Sequence, residues 1–162
     1  MRNFSAVLSL SLMLAGAVQA QPACPVPSTA GGTNAALTSA TASPELEPAR
    51  LILDQAATVT LHPFGEVRFV TAPEKRGDAS SFGGVLAVDV REAGTYQVAL
   101  SAGAWIDVLK DGAAVVSTAH DHGAECSGLR KMVSFALTPG RHVIQLSGNS
   151  DETIRVTVSR KQ

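Results

Sequence analysis

The chain has 162 residues, with 13 Lys and Arg against 14 Asp and Glu, and only 4% of its residues are aromatic. A net charge of −1 removes the electrostatic basis for nucleic-acid binding, which needs clustered cations to displace counterions from phosphates, and the few aromatics argue against stacking platforms for bases or sugars. With 45% hydrophobic and 17% charged residues, the composition is that of a single globular domain.

The first element is an address. Arg2 supplies a positive start, Ala6 to Val18 form an apolar run broken only by Ser and Gly, and Val18-Gln19-Ala20 presents small residues where a signal peptidase reads them. Residues 1–20 are therefore expected to be a cleaved secretory signal peptide. The run is shorter than the roughly 20 apolar residues of a membrane span, and no later segment is long and apolar enough to replace it. The expected location is the periplasm or the extracellular space, with no membrane span after leader removal. Cys24, in Gln-Pro-Ala-Cys, lacks the Leu-x-(Ala/Gly)-Cys setting of a lipid-attachment site.

Residues 21–49 hold five of the eight prolines among Ala, Ser, Thr and Gly, with no hydrophobic period, and read as an extended or flexible arm. Glu45 and Glu47 sit in this arm, where solvation is their default. From 50 to 162 the pattern becomes a succession of short β-type segments. Val67 and Phe69 suggest one, and Leu86, Val88 and Val90 another. Tyr96, Val98 and Leu100 alternate with Thr95, Gln97 and Ala99. Ile106 and Val108, then Val133, Phe135 and Leu137, then Ile144 and Leu146, then Ile154, Val156 and Val158 continue the alternation.

Turn chemistry separates these segments. Asp111-Gly112 is a strong two-residue hairpin signal, and Ala93-Gly94, Pro139-Gly140 and Gly148-Asn149 mark further reversals. Gly83-Gly84 predicts a bulge or a close backbone approach within a strand. The expectation is an all-β fold, an antiparallel β-sandwich of jelly-roll-like arrangement with about nine strands. Gly94 to Ser101 and Gly140 to Ser147 are similar phrases, a Gly turn followed by a strand with Leu and Ser at matching places, as equivalent positions on facing sheets would produce.

The glycine-led strands, with the Lys110-Asp111-Gly112 hairpin between them, resemble those of exported bacterial β-sandwich modules of the pre-peptidase C-terminal type. The resemblance covers about residues 84–158 and implies a sandwich without specifying a ligand.

Two cysteines, Cys24 and Cys126, survive leader removal. In an oxidising compartment an even pair predicts one disulfide, Cys24–Cys126, worth roughly 4–5 kcal/mol by the chain-entropy estimate. The alternative is a reactive Cys126 thiol beside His122 and Glu125. Trp105 reads as a core residue or a ligand platform, and Arg130-Lys131 as an anion site or a solvated strand end.

The most chemically loaded segment is His120-Asp121-His122-Gly123-Ala124-Glu125-Cys126. On an extended backbone, imidazoles two residues apart project to the same side, and Glu125 would complete a two-His-one-carboxylate metal face, with His62 or His142 available from other strands. Imidazole serves Fe, Zn and Cu alike, so the metal stays open. The bland reading is a polar, Gly-punctuated loop with solvated histidines.

The His-x-His-x-x-Glu order resembles the first metal motif of cupins, although one residue or more is missing before the Glu. Pro139-Gly140-Arg141-His142 with Asn149 is a distant echo of their second motif. The Ala-His-x-His-Gly-x-x-Cys-Ser-Gly-x-Arg-Lys-Met phrase at residues 119–132 also resembles that of small exported bacterial proteins, some of which carry the label homogentisate 1,2-dioxygenase. That resemblance implies a metal-dependent, non-haem iron dioxygenase of cupin-like fold with His120, His122 and Glu125 as ligands. No Gly-x-Ser-x-Gly elbow or phosphate-cradling glycine loop is present. With no complete catalytic set in the residues themselves, the leading expectation is an exported, non-catalytic binding or interaction module of the cell envelope, recognising an envelope protein or a small ligand.

Overall fold

In the computed structural model, residues 35–38 and 48–162 are described. The expected leader, Cys24 and most of the arm lie outside the described residues. The described chain forms twelve strands and one short 3-10 helix at Phe64–Glu66. One six-stranded sheet contains β1 (Ala35–Thr38), β3 (Ala56–Thr60), β12 (Thr153–Arg160), β6 (Gly94–Leu100), β10 (Lys131–Leu137) and β9 (Ser117–Asp121), in that spatial order. The facing sheet runs β2 (Ala49–Leu51), β5 (Phe82–Val90), β11 (Gly140–Asn149), β7 (Trp105–Lys110) and β8 (Ala113–Val115), with β4 (His62–Pro63) also paired to β5.

The all-β sandwich expected from the alternation is the observed fold. It has more strands than the nine expected because the edge strands β2, β4 and β8 are only two or three residues long, too short to display a period of two. Two pairings at sheet edges, β1 with β3 and β2 with β5, are parallel, whereas the rest are antiparallel. β1 lies within the segment read as an arm and adds a strand to the first sheet.

Alternation explains the packing. Leu86, Val88 and Val90 of β5 and Ile144 and Leu146 of β11 face Val98 and Leu100 of β6, Val133, Phe135 and Leu137 of β10, and Ile154, Val156 and Val158 of β12. Each of these residues is nearly inaccessible, and burial of a side chain this size contributes about 1.5–3 kcal/mol. Tyr96 lies in the same core, and its hydroxyl donates to the Glu92 carbonyl at 2.9 Å. That bond secures the chain where it passes from β5 in one sheet to β6 in the other.

The two similar glycine-led phrases occupy central strands of opposite sheets, β6 and β11. Each follows a crossing between sheets, so neither Ala93-Gly94 nor Pro139-Gly140 closes a hairpin within one sheet. Asp111-Gly112 does, between β7 and β8, with φ of 50° and 81°, the paired positive values of a type I′ turn. Gly148-Asn149 is not a reversal. β11 runs through it with a bulge, placing Leu146 opposite Gly84 and Asn149 opposite Phe82, and the turn to β12 follows at residues 150–152. The close approach expected at Gly83-Gly84 is present: a Cβ on Gly83 would stand 2.7 Å from the Leu146 carbonyl oxygen.

Val67 and Phe69 do not form a strand. They belong to a loop, residues 67–81, laid across the outer face of the second sheet. Gln145 of β11 fastens this strap: its Oε1 accepts from the Val70 and Thr71 amides at 2.7 and 3.2 Å, and its Nε2 donates to the Thr71 carbonyl at 3.2 Å. Ser147 adds a hydrogen bond from its hydroxyl to the Lys75 carbonyl at 2.8 Å. The strap thus carries Glu74 and Lys75 to the edge where β7 begins.

Candidate binding cleft

The 119–130 segment has a definite shape. His120 lies on edge strand β9 opposite Val133 of β10, and its Nε2 is 2.9 Å from the Ser117 hydroxyl. After β9 the loop folds on itself. The Asp121 carboxylate accepts from the His122 amide at 2.9 Å, the Ser127 amide donates to the Ala124 carbonyl at 3.0 Å, and the Leu129 amide donates to Ser127 Oγ at 3.2 Å. His122 Nδ1 is 3.0 Å from the Arg130 carbonyl oxygen, an acceptor, so Nδ1 carries the proton and donates. Gly123 is packed so closely against Leu129 that a Cβ would collide with its backbone oxygen.

This folding separates the expected ligand set. His120 is tied to Ser117, His122 to the Arg130 carbonyl, and Glu125 is exposed at the loop. Among the described residues, no three His, Cys, Asp or Glu side chains converge as metal ligands. The histidines considered as additional ligands are also elsewhere. His62 is on β4, at the edge of its sheet opposite β8, while His142 is buried at 1% exposure on β11. The i, i+2 argument assumed an extended backbone, whereas β9 ends at Asp121 and His122 starts the folded loop. Cys126 sits in this loop at φ 64° and is not a free thiol.

A different group of residues does converge. Where the chain passes from β8 to β9, the sandwich edge opens into a cleft of about 340 Å³ between β7–β8 and β9–β10. Ala114, Val115 and Val116 form an accessible apolar wall backed by the buried Val133 and Phe135, His120 and Ser117 line the β9 side, and Trp105, Asp107 and Lys131 line the other end together with Glu74 of the strap. Its volume falls within the roughly 300–1,000 Å³ of small-molecule sites.

Trp105 is held in a fixed pose. Its Nε1 donates to Asp107 Oδ1 at 2.9 Å, two residues along the same strand and therefore on the same face. Asp107 Oδ2 accepts from the Glu74 amide at 3.2 Å, which joins the strap to the indole. Lys75 Nζ lies 4.4 Å and Lys131 Nζ 4.6 Å from the indole centroid, both within cation–π range. Lys131 Nζ also donates to the Ala104 carbonyl at 2.9 Å. Burial pushes the Lys131 amine below its ordinary pKa, the Lys75 charge adds to that effect, and Asp107 opposes it.

Of the two readings open for Trp105, the core one is not met: the indole is half-buried at the cleft and stands outside the core cluster. Lys131 likewise folds onto the indole instead of extending as a solvated strand end. Sequence reasoning missed Lys75. Its placement depends on the strap, whose path is set by Gln145 and Ser147 more than 70 residues away in the chain.

The fold and site define an all-β sandwich with a small-molecule-sized cleft at one sheet edge. Among the described residues, no helix is long and apolar enough to cross a membrane. No protein-family model matches the chain, and no curated protein is significantly similar to it.

Proposed function

We propose that the protein is an exported β-sandwich binding module of the cell envelope, with the Trp105 cleft as its ligand site. The observation that carries this reading is the indole fixed by Asp107 at the mouth of the cleft, with two ammonium groups against it. A rigid aromatic surface beside an apolar wall binds without first losing much conformational entropy, which is what a recognition site needs. The apparent leader in residues 1–20 supports export. Export in turn supports a Cys24–Cys126 disulfide, in keeping with the absence of a free thiol at Cys126. The bridge would anchor the arm to the loop beside β9.

The chain has one tryptophan, so its fluorescence reports the cleft alone. Titrating the secreted protein with anionic, neutral and cationic small organic probes should produce a saturable emission change with at least one class. Val116→Trp, placed at the exposed cleft lip, should weaken that response when binding is followed calorimetrically. Saturable binding that Val116→Trp leaves unchanged would move the site away from the cleft. N-terminal sequencing of the secreted form should begin at Gln21, and a cytoplasmic product retaining Met1 would refute export. Titration of the denatured, unreduced protein should find no free thiol, against two if the bridge is wrong.

A further inference from the structure

Lys75 and Lys131 reach the same indole from different parts of the fold, one from the strap and one from the first residue of β10. Like charges this close repel, and partial burial of Lys131 makes its charge harder to hold. Asp107 offsets this conflict only in part: among the described residues, neither ammonium is in an ion pair. Asp107, the acid beside them, already has one oxygen accepting from Trp105 and the other from the Glu74 amide. Lys131 spends one N–H on the Ala104 carbonyl, which leaves two for another acceptor.

Resting on the proposal that this cleft is the binding site, we infer that its ligand is a small organic monoanion of the carboxylate class with an apolar body. The carboxylate would lie at the two ammonium groups. The apolar body would run along the indole toward Val115 and Val116, where the accessible wall offers hydrocarbon and no charge. A dianion such as phosphate is disfavoured because Asp107 and Glu74 stand at the same end of the cleft, and because a bare anion would leave the apolar wall unused. An organic cation would meet two like charges.

The test uses the mature, oxidised protein with hexanoate, hexanamide, hexylamine and inorganic phosphate, followed by Trp105 fluorescence and calorimetry. Hexanoate is expected to saturate and to bind roughly tenfold or more tightly than hexanamide. Lys75→Met and Lys131→Met should each reduce that preference, and the double variant should abolish it while both probes still bind. Methionine keeps an apolar stem, and Lys75→Met alters only an exposed strap residue, so loss of preference there is not a folding defect. Hexanamide or hexylamine binding as tightly as hexanoate would overturn the carboxylate assignment and leave the cleft as the site. Phosphate binding as tightly as hexanoate would also overturn it. Failure of all four probes to saturate would overturn the carboxylate assignment, whereas hexanoate binding unaffected by Val116→Trp and by the lysine substitutions would overturn the cleft itself.

Discussion

The Gln145 side-chain amide pairs with the backbone of Thr71, accepting from its N–H and donating to its carbonyl, each at 3.2 Å. In effect a side chain supplies the bridge that a neighbouring strand would otherwise make. Gln145 is 1% exposed because the strap covers it, so its polar atoms have no access to water as an alternative.

Gln145→Leu should therefore cost about 1–3 kcal/mol, since it removes both sides of the pairing and leaves the Val70 and Thr71 groups without their partner. Urea unfolding would measure the loss. The strap should also detach, which frees the backbone at the already exposed Lys75 and Arg76 to enter the trypsin active site while the sandwich stays intact. Unchanged cleavage there would show that Ser147 and Asp107 hold the strap without Gln145.

Gln145 also shows why some of the fold was legible in the sequence and some was not. Alternation around Ile144 and Leu146 correctly assigns β11 and its inward face, because that rule depends only on neighbours along the strand. It assigns Gln145 to a wet face, and only the path of a distant loop makes that face dry. The turn at Asp111-Gly112 was readable because two successive positive φ values restrict the residues that fit. The misreading of Val67 and Phe69 has the reverse cause: their spacing matches a strand, but the backbone around them bonds to Gln145 instead of a ladder. The cleft combines strap, β7 and β10, and Lys75 has no local signature that would place it against Trp105. Legibility ends where long-range register takes over.

Two glycine substitutions should separate backbone conformation from crowding. Gly112 has open space around its Cβ position but a φ of +81°, so Gly112→Ala should cost only the strain of a left-handed conformation, about 1–2 kcal/mol. Gly83 has no such restriction, but a Cβ there would stand 2.7 Å from the Leu146 carbonyl oxygen and 3.1 Å from Phe69 Cζ. The backbone contact cannot yield without disturbing the β5–β11 ladder, so Gly83→Ala should be the more damaging of the two. Equal melting temperatures for the two variants would refute the assignment of Gly83 to close packing.

Metal dependence can be tested on the loop that suggested it. His120 and His122 are committed to separate partners, and Glu125 does not join them. Chelator should leave the melting temperature unchanged, and a His120→Ala/His122→Ala variant should bind no less metal than the parent. Stoichiometric metal in the purified protein, lost in that variant, would instead require the 119–130 loop to rearrange and would restore the dioxygenase-like reading.

The last prediction concerns His142, which faces the core at the start of β11 with its Nδ1 3.3 Å from the Gly140 carbonyl. Burial pushes its pKa below the ordinary 6.5, Lys110 acts in the same direction, and the Gly140 carbonyl and Asp111 oppose them. The folded protein therefore releases this proton at lower pH than the unfolded chain does. Between the two pKa values the unfolded state binds more protons, so stability rises with pH. The contribution is complete above about pH 6.5, declines as the pH falls below it, and stops changing once the folded pKa is passed. One proton limits the slope to about 1.4 kcal/mol per pH unit. His142→Leu, which keeps a side chain of similar bulk in the core, should flatten the stability profile between pH 7 and the onset of carboxylate protonation. Urea midpoints measured for both proteins across that range decide the matter: parallel profiles would mean that His142 protonates without penalty in the folded state.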